Sequence, residues 1–94
     1  MYSGTPVVEL SVNDFNGSRI VSPLFKDRCG FLKVYAPWCG HCQNMHDDLI
    51  NCARILKRAG FVVSALNADN QVNKPVAQAL NVRGFPTLFF VDYN

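Results

Sequence analysis

The sequence predicts an α/β sandwich whose sheet contains parallel strand pairs. Three observations carry this. Strand-like runs alternate with helix-like segments along the 94 residues, the order from which helices layered on a sheet are built. The run Phe31-Leu32-Lys33-Val34-Tyr35-Ala36 is apolar on both faces except at Lys33, as in a central strand covered on both sides. A Cys-x-x-Cys pair, Cys39 and Cys42, stands where that strand gives way to a helix. Open α/β sheets place their chemistry at such strand ends, beside helix N-termini.

Each element has its own signal. Val7-Val8-Glu9-Leu10-Ser11-Val12 alternates and is rich in β-branched residues, so it reads as the first strand. Asn13 or Asp14 suits the N-cap of a short, weak helix through Phe15, which Gly17 interrupts. Ser22-Pro23 restarts a turn or helix that ends near Asp27. The second strand is Phe31 to Ala36, broken by Pro37. A helix then starts at the Cys-x-x-Cys and runs to about Arg58, with Cys42, Met45, Leu49, Cys52, Ala53 and Leu56 along one apolar stripe. Gly60 ends it. Phe61 to Leu66 is the third strand, and a loop covers Asn67 to Asn73. A short helix from Lys74 to Leu80 carries Pro75 in its first turn, and Asn81 closes it in the left-handed conformation. Thr87 to Val91 is the fourth strand. The order β-α-β-α-β-α-β fills a single small domain over residues 1–94.

Composition removes several function classes. The net charge of +2 is scattered among single or paired basic residues, so neither nucleic acid nor a membrane surface is an expected partner. No stretch approaches the length of a membrane span. Met1-Tyr2-Ser3-Gly4 leads into polar, proline-containing sequence, not into a signal peptide. The four cysteines, at 29, 39, 42 and 52, leave structural disulfides, a metal site or a redox pair open. A four-cysteine zinc site, with His41 or His46 as substitute ligands, would want two short paired spacings, and only one exists. No metal is expected.

The Cys-x-x-Cys spacing puts both sulfurs on the first helical turn, within reach of a disulfide. The helix N-terminus favours a thiolate there. Cys39, nearer that end, reads as the attacking nucleophile, and Cys42, on the buried stripe, as the resolving thiol. His41, when protonated, would add positive charge beside the Cys39 thiolate and make the disulfide more oxidising. Gly40 keeps the turn small and open to a substrate backbone. Trp38 would shield the site and offer an apolar contact. In Val82-Arg83-Gly84-Phe85-Pro86-Thr87 a proline directly precedes a strand. A trans bond is the ordinary expectation. A cis Phe85–Pro86 bond would instead offer backbone groups to an extended peptide.

Tyr35-Ala36-Pro37-Trp38-Cys39-Gly40-His41-Cys42 and Arg83-Gly84-Phe85-Pro86-Thr87, with the opening Val7-Val8-Glu9-Leu10, resemble a catalytic thioredoxin-fold domain of the protein disulfide isomerase family. The resemblance covers nearly the whole chain. It implies a thioredoxin-like three-layer sandwich with a central mixed β-sheet, and a cis Pro86 packed against the cysteine pair. It also implies oxidase, reductase and isomerase chemistry on protein cysteines without a bound cofactor. Phe85 and Pro86, with Trp38, would then form the substrate-binding rim. Unfolded or misoxidised proteins, and glutathione or another redox partner, are the implied partners of a monomer or of one domain in a longer chain. The implied compartment is the endoplasmic reticulum lumen or another oxidising one.

Three features depart from the family pattern. Lys33 stands where the family carries a buried acid that relays protons to the resolving cysteine, and the usual third-strand lysine falls at Asn67, so the resemblance places a lone lysine beside an amide. Lys33 could be a proton relay to Cys42. The expectation is instead that it snorkels to solvent, because burying an unpaired ammonium is costly. The family's last strand and closing helix are lacking after Tyr93-Asn94, which would leave Val91 on an unprotected edge. A family arginine from that part, which modulates the resolving cysteine, has no counterpart. Cys29 and Cys52 read as non-catalytic, with Cys52 a buried small hydrophobe, and a disulfide between them stays open. Two other functions compete with the isomerase: a thioredoxin-like disulfide reductase, and a module that holds polypeptide without turnover.

Overall fold

The structure, a computed structural model, describes residues 1–92. Tyr93 and Asn94, where the lack of a last strand was read, lie outside the described residues. A four-stranded sheet in the order β1-β5-β4-β6 forms the middle layer, built from β1 (Val8–Leu10), β4 (Gly30–Tyr35), β5 (Val62–Asn67) and β6 (Thr87–Val91). β1, β5 and β4 run parallel, and β6 pairs antiparallel with β4. The sheet is therefore mixed.

Side chains on a strand alternate between faces, so the sheet buries two cores. On one face α1 (Gly40–Asn44) and α2 (His46–Arg58) cover Tyr35, Val63 and Ala65. On the other, α3 (Lys74–Ala79) and the hairpin of β2 (Phe15–Asn16) and β3 (Arg19–Ile20) cover Leu32, Val34 and Leu66. One register row on the α1/α2 face decides the chemistry below. Glu9 is opposite Ala65, and Ala65 is opposite Lys33. The third-strand neighbour of Lys33 is thus Ala65, whereas Asn67 pairs with Tyr35. This corrects the expected Lys33–Asn67 contact.

The strands match their sequence signals, and the local surprises have local causes. The weak helix expected around Asn13 is one 3-10 turn, Val12–Asp14. Its N-cap is Ser11, whose N–H donates to the Asp14 carboxylate at 2.9 Å. Gly17, at φ +62°, then turns the chain into the β2–β3 hairpin. The long helix bends at Met45 (φ −93°, ψ 2°) into α1 and α2. Past the bend the inward positions are Leu49, Ile50, Ala53 and Leu56. That stripe turns Cys52 to solvent, so Cys52 is exposed and is not the buried hydrophobe expected. Gly60 ends α2 at φ +88°, with Phe61 N–H returning to the Leu56 carbonyl at 3.0 Å, a Schellman closure. Asn81 is left-handed at φ +57°, as expected.

Gly30 has a role the sequence did not announce. A Cβ there would lie 1.7 Å from the Val62 carbonyl oxygen. Only glycine lets β4 start this close to β5.

Candidate active site

β4, an interior strand, ends at Tyr35, and the Ala36–Cys39 turn at its carboxyl end closes with a Cys39 N–H bond to the Ala36 carbonyl at 3.1 Å. Cys39 is the N-cap of α1. Its Sγ accepts the Cys42 N–H at 3.3 Å, and thereby fills the role that a Ser or Asp oxygen plays at other helix starts. Across the site the Phe85–Pro86 bond is cis. The Phe85 carbonyl oxygen stands 3.6 Å from Cys39 Sγ and accepts its S–H. The two motifs, distant in sequence, meet at this sulfur.

The two thiols differ in environment. Cys42 is fully buried, and Cys39 retains 7% of its surface. The Cys39 thiol is held below its ordinary value, first by its hydrogen bond with Cys42, then by the backbone N–H groups of Cys42 and His41 and by the Lys33 charge. The Cys42 thiol is pushed up, first by burial and then by the bond to Cys39. The thiolate is therefore favoured on Cys39 over Cys42. No disulfide joins any of the four cysteines in this state.

The remaining sequence candidates fall around this pair. His41 is exposed on α1. A Cβ on Gly40 would meet nothing within 4 Å, so the helix start stays open to an approaching chain. Trp38 is 65% exposed. Its Nε1–H donates to the Asp69 carboxylate at 3.1 Å, and its ring meets Phe85 edge-on at 5.9 Å. Trp38 and Phe85 thus form a half-apolar rim beside Cys39. Among the described residues no group of His, Cys, Asp and Glu is arranged to hold a metal, and no helix is long and apolar enough to cross a membrane. Cys29 lies elsewhere, its Sγ 3.3 Å from the Asp92 carboxylate.

Lys33 overturns its expectation. It does not snorkel; it is fully buried. Its Nζ donates to the Tyr2 hydroxyl and, at 2.9 Å, to the Cys42 carbonyl. It also lies 4.9 Å from the Tyr2 ring centroid and 5.4 Å from that of Tyr35. These partners offset the desolvation that argued for snorkelling. Burial still pulls the ammonium below the usual lysine range, against the opposing pull of Cys42, Cys39 and Glu9.

Sequence reasoning missed the roles of Tyr2, Glu9 and Tyr35 in this floor. Tyr2 is fully buried. Its N–H donates to Glu9 Oε1 at 3.0 Å, and Tyr35 Oη donates to the same oxygen at 2.6 Å. The Tyr2 ring meets Tyr35 edge-on at 5.7 Å and stacks on His46 at 4.5 Å. The only available signal was Glu9, a charge inside an otherwise apolar strand.

The family model described as Thioredoxin matches residues 7–94. Protein disulfide isomerase-like 2-3 of Oryza sativa subsp. japonica is 36% identical over 89 residues, covering 94% of this chain and 19% of its own length. Protein disulfide-isomerase A6 of Mus musculus is 36% identical over 86 residues, covering 92% of this chain and 18% of its own. The chain thus spans about a fifth of the length of these curated relatives. Among solved structures, thioredoxin f2 in complex with ferredoxin:thioredoxin reductase superposes with a TM-score of 0.73 at 26% identity, over 97% of this chain and 76% of that one. With both motifs meeting at Cys39, the chain belongs to the thioredoxin family and is homologous to protein disulfide isomerases.

Proposed function

We propose that this domain exchanges disulfides with cysteines of unfolded or misoxidised polypeptides, in the manner of a protein disulfide isomerase. The observation that carries the reading is the asymmetry of the pair. Cys39 Sγ is the helix N-cap, partly accessible and favoured as thiolate, while Cys42 is sealed beneath it and favoured as thiol. The Cys39 thiolate attacks a substrate disulfide, forming a mixed disulfide and releasing one substrate thiol. Cys42, once deprotonated, attacks Cys39 Sγ and releases the substrate. The reverse sequence donates the Cys39–Cys42 disulfide to a substrate dithiol.

Trp38 and Phe85 give the substrate chain an apolar rim, and the cis Pro86 shapes the loop that faces it. Gly40 leaves room for its backbone. His41 lies exposed on the same turn as the thiolate. Glutathione as small-molecule redox partner, and the endoplasmic reticulum lumen as compartment, complete the proposal, since such exchange needs an oxidising compartment. A Cys42→Ser variant tests the reading. It should accumulate a mixed disulfide between Cys39 and a scrambled polypeptide, which wild type resolves. Equal adduct formation by a Cys39→Ser variant would overturn it.

A further inference from the structure

We propose that Lys33 is the proton store of the Cys39–Cys42 pair. Held by Tyr2 and the Cys42 carbonyl, its amine is neutral beneath the disulfide, and it takes up one proton when the pair is reduced. This biases the domain toward accepting electrons from substrate dithiols. The inference rests on the redox reading above and adds a direction of electron flow.

The hydrogen-bond inventory fits both states. A neutral amine has two N–H donors, and two acceptors surround Nζ, the Tyr2 hydroxyl and the Cys42 carbonyl. An ammonium adds a charge, which the Tyr2 and Tyr35 rings and a thiolate above can receive. The titratable groups facing Lys33 come from every element around it. Tyr2 approaches from the N-terminal segment, Glu9 from β1, Tyr35 from β4, and Cys39 and Cys42 from α1. His46 of α2 lies across the Tyr2 ring, and β5 contributes only Ala65. The Glu9 carboxylate is already shared among the Tyr2 N–H, the Tyr35 hydroxyl and the Met1 amino group at 3.3 Å. The change in charge near Lys33 between redox states therefore comes from the cysteines. Oxidation removes the thiolate and with it much of the reason for Lys33 to stay charged.

The step balances. A substrate thiolate attacks Cys39 Sγ of the disulfide, the Cys39–Cys42 bond breaks, and Cys42 departs. The second substrate sulfur attacks the first, closes the substrate disulfide and releases Cys39 as thiolate. Two electrons pass from the substrate sulfurs to the cysteine pair. Of the two protons given up, one goes to Cys42 and the other to Lys33. Glutathione disulfide accepts the electrons in return.

The equilibrium of the 94-residue chain with glutathione tests this between about pH 6 and about pH 8, where ordinary thiols stay protonated. Two glutathione thiols supply both protons to wild type, so its equilibrium constant should be flat with pH. A Lys33→Met variant lacks the store, so forming its Cys39 thiolate on reduction releases a proton to solvent and its constant should rise with pH. Equal slopes for the two proteins overturn the inference. A second readout needs no variant: the 15N shift of Lys33 Nζ should report an amine in the oxidised chain and an ammonium in the reduced one. The same state in both overturns the inference. If glutathione forms no Cys39–Cys42 disulfide at all, the redox reading itself fails.

Discussion

At Cys39 a single sulfur is helix cap and hydrogen-bond partner of the facing loop, and we propose it as the nucleophile. Its thiolate is favoured by the Cys42 contact and by backbone N–H groups, so alkylation should distinguish the four thiols. In limiting iodoacetamide at mildly acidic pH, Cys39 should react first. Cys42 should stay unmodified, because it is buried and its thiol is raised. Peptide mapping of the modified protein reads the order directly. Preferential labelling of Cys42 would contradict the assignment. This asymmetry was legible in the sequence, because both its causes are local: position within the first helical turn and position on the buried stripe. The state of Lys33 was not. Snorkelling was the cheaper reading of an isolated lysine. The residue that holds it, Tyr2, lies 31 positions away in the chain.

Among the elements, β4 carries both the fold and the site. Gly30 opens it against the Val62 carbonyl, Lys33 sits mid-strand, and Tyr35 leads into the cysteine turn. Gly30→Ala should destabilise the domain by about 3 kcal/mol or more, since a backbone oxygen cannot move aside as a side-chain tip can. Gly40→Ala, with open space around it, should change stability by less than about 0.5 kcal/mol. A pair of urea titrations checks the contrast, and equal losses would contradict it. The strands of the sheet were readable because their apolar runs are continuous. The bend at Met45 was not, and it cost the reading of Cys52. A single stripe drawn through an unbroken helix placed that thiol inside, whereas α2 turns it out.

Across the whole molecule, parallel pairing assembles what the sequence scatters. The β1–β5–β4 register sets Glu9 and Lys33 on one face with only Ala65 between them. Tyr2 and Tyr35 then link the carboxylate to the amine. No local pattern reports such a row, since it exists only once three strands are in register. It has a thermodynamic signature. Tyr2 is pushed up to about 12, first by burial and then by Glu9. A phenol raised on folding stabilises the native state in full below its unfolded value of about 10. That contribution is lost as pH rises through the folded value. Burial lowers Lys33 on folding, so it opposes folding at neutral pH, and that penalty fades as pH rises toward the unfolded lysine value. Tyr2→Phe should therefore lose less stability than wild type between about pH 10 and about pH 12. Denaturant midpoints across that range check it, and parallel curves would contradict it.

In the proposed function, Cys39 and Cys42 form a disulfide that passes to other proteins' cysteines. The most direct test oxidises the chain with glutathione disulfide, removes the oxidant, and adds a reduced, unfolded polypeptide. Peptide mapping then follows the bond. A Cys39–Cys42 link should disappear as a disulfide appears in the polypeptide, with Cys29 and Cys52 remaining free thiols throughout. A link through Cys29 or Cys52, or a Cys39–Cys42 link that never leaves the chain, would contradict it.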